Sequence, residues 1–489
     1  NHFTIANDSQ KALLYSKQAA LKAKENYAHT LAIKFFDNAL KYEDNPDEIF
    51  KIRFALAETF SLAGDYKKAI QELNRCCKID PHAYRVYDKF GKVYENVGNF
   101  KKSLKYYMLG LQETQEMEVA YAFKIAVAWV YTRLGQYFRA QKECEKILKK
   151  KERLKKRYIG ETYIVLGSVF LNLGKFDKAE SCYREGLKLI RVVGDKNLIA
   201  TCYLNLALTN QRKSNIEVAI KFYERALNLY EEIGYQNRIV STLVDLGTLY
   251  TDYNQPKAEE YLKRALSIAQ LIGAERERVY LYSSLGTVSY NQLKNDKALF
   301  NFKKALAYAE KNNFTVGVIL SNLDLSGFYR EQGTVRRGKK CLKSARYIAE
   351  KMNLKYYLFW CILEEIEYLL RSKSYKKANR LSEKLLSQLR SEQNTIYKIY
   401  GLLYRARTVM ALRSYAKAHV YYKQAYDLIT SQSLHGVAGE VYYYWGITYR
   451  DEKKFKEARK MFVEAQKIFE DIGNVRYVEK LKKELAKLS

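Results

Sequence analysis

Five histidines, His2, His29, His82, His419 and His435, are the first residues to test for chemistry, because imidazole is the commonest general base and metal ligand. They are scattered over the 489-residue chain, with no H-x-x-x-H pair and no Asp/Glu cluster at ligand spacing. Gly167-Ser168 is the best nucleophile candidate, yet the rest of a G-x-S-x-G elbow is absent. No glycine-rich phosphate loop opens a helix after a strand, and no strand pattern is found. The seven cysteines contain no C-x-x-C, and Cys76, Cys144 and Cys202 fall where small core residues belong. Free buried thiols in a reducing, cytoplasmic setting are expected. The chain therefore promises no catalytic residue, no cofactor and no metal, and its chemistry has to be that of a surface.

What positions that surface is a repeat. "LNLGKFDKAESCYREGLKLI" (171–190) returns forty residues later as "TNQRKSNIEVAIKFYERALNLY" and again as "YTDYNQPKAEEYLKRALSIA". The residue equivalent to Ala179 recurs at Ala32, Ala69, Ser103, Ala140, Ala219, Ala258, Ala298, Gly338, Ala378, Ala418 and Ala458, with a step that settles at 40. Within a unit, small, bulky and small residues follow at spacings of four and three: Ala179, Tyr183, Gly186; Ala298, Phe302, Ala305; Ala458, Phe462, Ala465. That spacing puts all three on one helix face. An earlier helix in each unit carries Leu-Gly or a similar pair with an aromatic one turn on, as in Leu166-Gly167 with Phe170 and Trp445-Gly446 with Tyr449. Gly64, Gly98, Gly135 and Gly174 stand where a left-handed cap would end that first helix. Only three prolines occur, which suits nearly unbroken helix. The 48% hydrophobic and 28% charged content is that of a folded chain, and no apolar run is long enough to span a membrane.

These residues resemble the tetratricopeptide repeat family along nearly the whole chain. The match is weak only at Ile366–Leu385, where Ser382 takes the aromatic site, and partial in the first unit. From about residue 160 the repeat is similar to the longer variety found in kinesin light chains, Leu-Gly-Asn spindle adaptors and bacterial sensor ATPases and transcription activators, with linkers such as "IRVVGD" and "FEDIGN". The resemblance implies an all-α superhelical solenoid of about twelve hairpins, with 474–488 as a solvating C-terminal cap. The change of spacing and the basic run "LKKKERLKKR" (148–157), read as lengthening a helix pair, and then the degenerate unit at 366–385, divide it into 1–150, 151–365 and 366–489.

The resemblance also implies which helix faces line the concave groove. Carried onto this sequence, the partner-binding candidates are Asn205, Asp245, Asp324, Trp360, Tyr404, Arg407, Tyr443, Tyr444 and Arg450. Asn205 sits in "YLNLALTN", where an amide can both donate to and accept from an extended main chain. The cluster from Trp360 to Arg450 supplies Tyr, Trp and Arg, the preferred anchors of interfaces. The five-residue carboxylate clamp that binds chaperone tails is not reproduced as a set. A protein or peptide ligand in the groove is the expectation, an acidic one in view of the +31 net charge, with Asp245, Asp252 and Asp324 interrupting an otherwise basic surface. That interruption disfavours nucleic acid. Abundant Lys, Ile, Asn and 44 tyrosines are also what an AT-rich genome yields, so the charge has a compositional explanation too.

The first forty residues, "NHFTIANDSQKALLYSKQAALKAKENYAHTLAIKFFDNALKY", resemble the segment that joins an ATPase module to its repeats in bacterial signalling ATPases of the STAND class, with His2, Ala6 and Asp8 in its opening phrase. This implies a ligand-sensing arm with an ATPase domain upstream. A freestanding scaffold for a motor or secretion assembly is the alternative.

Overall fold

The computed structural model describes residues 9–25, 28–213, 215–352, 354–390, 395–430 and 435–488. His2, Ala6 and Asp8 lie outside them. Among the described residues there are twenty-five α-helices and no strand. The first twenty-four pair into twelve antiparallel hairpins and the last, Val475–Ala486, caps the twelfth. The chain separates into two compact units, Asn1–Asn205 and Leu206–Ser489.

The recurring small residue explains the hairpins. All ten alanines of the series and Ser103 are 0% exposed, and Gly338 is buried. A helix that presents no side chain at that point lets its neighbour's backbone approach, and the bulky residue four positions on fills the space beside it. Its seat is the glycine of the preceding helix: a Cβ at Gly167 would fall 2.6 Å from the Tyr183 ring, and one at Gly446 would fall 2.5 Å from Phe462. Tyr183 and Phe462 are both 0% exposed, so neither ring has room to yield. In the degenerate unit the missing aromatic is replaced by a polar arrangement. Ser382 is buried, its hydroxyl 2.8 Å from that of Thr408, and Arg405 donates to the Asn379 carbonyl and side-chain oxygen at 2.9 and 2.7 Å.

In most of the described hairpins the first helix ends through a left-handed residue; Gln236–Tyr250 is an exception, passing into Thr251 at φ −57°. Gly64, Gly98, Gly135 and Gly174 have φ between +72° and +80°, as expected. Later units keep that turn without the glycine: Leu293, Lys373, Arg413 and Lys453 hold φ between +57° and +64°. Stacking imposes the conformation on residues that disfavour it.

Two features depart from the sequence reading. The basic run 148–157 does not extend a helix pair; the helix Tyr137–Leu148 stops, a 3₁₀ turn follows at Lys151–Arg153, and the next helix starts at Lys156. Consecutive like charges at helical spacing repel, which favours a break there. The capping helix, moreover, does more than solvate the end. Its apolar face covers the last hairpin, with Leu481 fully buried and Tyr477 stacked on Phe469 at 4.2 Å. From its other face Arg476 donates to the Tyr290 carbonyl at 2.7 Å and to the Asn295 side chain, and its guanidinium lies 3.7 Å from the Tyr290 ring centroid. Lys480 sits 3.6 Å from Glu331.

All seven cysteines are free, and burial pushes the Cys76, Cys144 and Cys202 thiols up to about 12, which makes them inert packing residues. Among the described residues no helix is long and apolar enough to cross a membrane.

Candidate functional site

In the C-terminal unit the first helices of successive hairpins share one inner face. We label four of them α17 (Thr315–Glu331), α19 (Lys355–Arg371), α21 (Thr395–Ala411) and α23 (His435–Asp451), counting every α-helix from Ser9–Glu25 as α1. Residues four apart stand one above another on a helix, so Tyr356, Trp360 and Glu364 form a stripe on α19 and Tyr400 and Tyr404 one on α21. With Asp324 of α17 and Glu440 of α23 these stripes wall a cavity of about 330 Å³. The aromatic rings brace one another: Trp360 meets Tyr400 edge-on at 5.3 Å and Tyr356 at 6.4 Å.

The carboxylates here are unlike surface ones. Asp324 accepts from the Ser283 hydroxyl, yet burial dominates and pushes its carboxyl up to about 7. Burial does the same for Glu440, to about 7, against the partial relief of Arg407. Glu364 is raised by burial even though Arg330 donates to it at 3.0 Å and Ser326 at 3.1 Å. Asp245 and Asp252 are pushed up to about 7 and about 6 by the protein crowding them, while their side chains keep open contact with solvent. Asp324 and Glu440, by contrast, are half-buried.

The sequence-expected residues are placed as follows. Asp324, Trp360 and Tyr404 come together on the cavity. Arg407 is 8% exposed and Glu367 6%, and the two form a bidentate pair, one arm of it 3.0 Å. Burial would raise Glu367, but Arg407's charge and hydrogen bonds outweigh it and hold the carboxyl at about 2. The same guanidinium stacks 3.8 Å from the Tyr444 ring centroid and 4.9 Å from that of Tyr404. Arg407 and Tyr444 border a second, wider cavity of about 670 Å³. Tyr443 is 9% exposed and packs edge-on to Tyr477 of the capping helix at 5.5 Å, away from either cavity. Arg450 is held by Asp451 at 3.0 Å and by Glu484. Arg371 donates to the Arg330 carbonyl at 3.2 Å and to Glu331. Asn205 closes the N-terminal unit, half-buried, and belongs to a different body from the rest.

The arginines expected to meet a ligand's carboxylates are thus engaged inside the chain. What faces the 330 Å³ cavity is aromatic and acidic. Tyr356, Tyr400, Glu364 and Glu440 were not singled out from the sequence. Stepping one helical turn from Trp360, Tyr404 and Tyr444 along each stripe would have reached all four. In the N-terminal unit a cavity of about 400 Å³ has a balanced lining, with Lys89 paired to Glu58 at 2.5 Å and Lys92 to Asp88 at 2.7 Å.

Comparison with known proteins agrees with this architecture. The family described as MalT-like TPR region matches residues 121–403, more than half of the chain, and a tetratricopeptide repeat model matches 50–82. Protein KINESIN LIGHT CHAIN-RELATED 3 of Arabidopsis thaliana is 27% identical over 202 residues, 39% of this chain and 30% of that protein. Response regulator aspartate phosphatase E of Bacillus subtilis (strain 168) is 24% identical over 200 residues, 40% of this chain and 52% of that protein. The chain spans about a third to a half of the length of the curated relatives it matches. A solved Rap protein complexed with competence and sporulation factor aligns over 83% of this chain and 98% of its own at 15% identity, with a TM-score of 0.50, a likeness of fold. With a repeat running through twelve hairpins and a family match over most of the central ones, the chain belongs to the MalT-like TPR region family.

Proposed function

We propose that this chain is a non-catalytic, peptide- or protein-binding repeat array that acts as the ligand-sensing arm of a larger, ATPase-bearing signalling protein in a reducing, cytoplasmic setting. The observation that carries the reading is the cavity on the inner face of α17, α19, α21 and α23, where Trp360, Tyr400 and Tyr404 offer large, low-entropy contact area beside a few polar groups. The solved Rap protein of similar fold is complexed with competence and sporulation factor, and membership of a MalT-like region supports a regulatory rather than a structural role. A freestanding adaptor is the second reading, favoured by the similarity to a kinesin light chain-related protein.

Two measurements test this. Heptapeptides selected on the full chain should lose about 2 kcal/mol or more of binding when Trp360 and Tyr404 are replaced with Ala, without loss of helicity; binding indifferent to both changes would overturn the site. The genomic sequence upstream of Asn1 should encode a Walker motif; a start codon there in its place would favour the adaptor.

A further inference from the structure

We propose that the 330 Å³ cavity is a cation pocket that receives the arginine or lysine side chain of the peptide ligand; this rests on the binding reading above and names what the cavity selects.

The argument begins with an imbalance. Lys and Arg outnumber Asp and Glu by 85 to 54 in this chain, yet among the described residues no basic one lines the cavity, while Asp324, Glu364 and Glu440 all do. Basic side chains abound, so their absence from this wall leaves its negative charge for something else to meet. Glu364 is already matched by Arg330. Among the described residues Asp324 has only a hydroxyl donor, Ser283. Glu440 receives no hydrogen bond and no ion pair from the described residues. The charged groups that face it are Arg407, Lys480, Glu367 and Asp252. Arg407 is committed to Glu367, and Lys480 lies toward Glu331. Two carboxylates are therefore unneutralised inside an aromatic enclosure.

The rings supply the other half of a cation site. Tyr356, Trp360, Tyr400 and Tyr404 surround the space, and an aromatic face attracts a desolvated ammonium or guanidinium. The chain already uses this chemistry next door, where Arg407 stacks on Tyr404 and Tyr444 against Glu367. The cavity has the same ingredients, rings and carboxylate, without the arginine. Its volume fits a single long side chain rather than a folded element. Burial leaves Asp324 and Glu440 about half protonated near pH 7 in the empty site, so each still carries part of its negative charge. An arriving cation would pull their protons off, so binding should strengthen as pH rises through 7.

The experiment is a selection of random heptapeptides displayed on phage against the full chain, followed by calorimetry with the synthesised winners. A shared Arg or Lys, whose replacement by Gln weakens binding roughly tenfold or more, is the expected result. That loss should be reproduced by Asp324→Asn with Glu440→Gln in the protein, and affinity should fall between pH 8 and pH 6. Because Glu440 has no partner to lose, the single Glu440→Gln variant keeps the test valid if the double variant folds poorly. Winners that need Trp360 and Tyr404 but carry no basic residue would overturn the cation pocket and leave the binding reading standing. Winners indifferent to every cavity substitution, or no winners, would overturn both.

Discussion

The guanidinium of Arg407 is sandwiched: its nitrogens meet the Glu367 carboxylate forty residues earlier, while its face lies 3.8 Å from the Tyr444 ring forty residues on from Tyr404. Three consecutive hairpins are joined through one side chain. Removing one partner of a buried ion pair leaves the other uncompensated, at a cost of about 3–5 kcal/mol. Arg330 remains 3.7 Å from Glu367, so Arg407→Met should lie at the low end, about 3 kcal/mol. The double change Glu367→Gln with Arg407→Met should cost less than Arg407→Met alone. Urea unfolding of the three variants checks this, and additive losses would contradict it.

Acidity should act in two opposite ways. Asp324 and Glu440 have carboxyls raised to about 7, above the unfolded values near 4, so the folded state binds more protons and stability falls as pH rises from about 4 to 7. Glu367 is depressed to about 2, so its contribution is present above about 4 and is lost as pH falls toward 2. The melting temperature should therefore rise from pH 8 to pH 5 and drop below about pH 3.5. Asp324→Asn with Glu440→Gln should flatten the first limb and leave the second, as scanning calorimetry across that range would record.

Left-handed caps without glycine are strained. Lys453 holds φ +62° and Arg413 +60° in the position that Gly333 and Gly174 occupy in other units. A side chain there costs roughly 1 kcal/mol. Lys453→Gly and Arg413→Gly should each stabilise by up to about 0.5 kcal/mol after the added unfolded-state entropy is set against the relieved strain. The midpoint of urea unfolding reads this directly; destabilisation by both would refute the strain argument.

Arg476 should hold the capping helix at its far side. Its hydrogen bond to the Tyr290 carbonyl and its stacking on the ring are together worth about 1–2 kcal/mol at a half-exposed site. Arg476→Ala should raise hydrogen exchange in 475–486 and at 290–296, while the packing of Tyr477 and Leu481 keeps the helix folded. Unchanged exchange at 290–296 would show that the contact carries no stability.

The hairpins were legible because their signal is periodic: a small residue that must be buried recurs wherever two helices touch, and its spacing alone counts the units. Asp324, Trp360 and Tyr404 were reached through the family resemblance, which implies the groove-lining faces, and all three line the cavity. What lay beyond reach is any relation between residues far apart in the sequence. Nothing in "YRARTVM" says that Arg407 is claimed by Glu367. A groove face read helix by helix gives the side chains but not their pairing, and pairing decides whether a charge is offered to a ligand. That is why Arg371, Arg407 and Arg450, expected to meet a ligand, are engaged by Glu331, Glu367 and Glu484 and leave the pocket acidic. The return of Arg476 to Tyr290 was invisible on the same grounds.

That return changes how force would travel. In a linear stack, tension at one end passes from hairpin to hairpin. Here a pull on the C-terminus also reaches Tyr290 through one short helix, across a separation of 186 residues, so the fifth hairpin from the end shares with the last one a load that the hairpins between them largely escape until the Arg476 contact gives way. An effector or partner that tugs on the cap would first address those two hairpins together, and only after that contact yields would the ones between them carry the full strain.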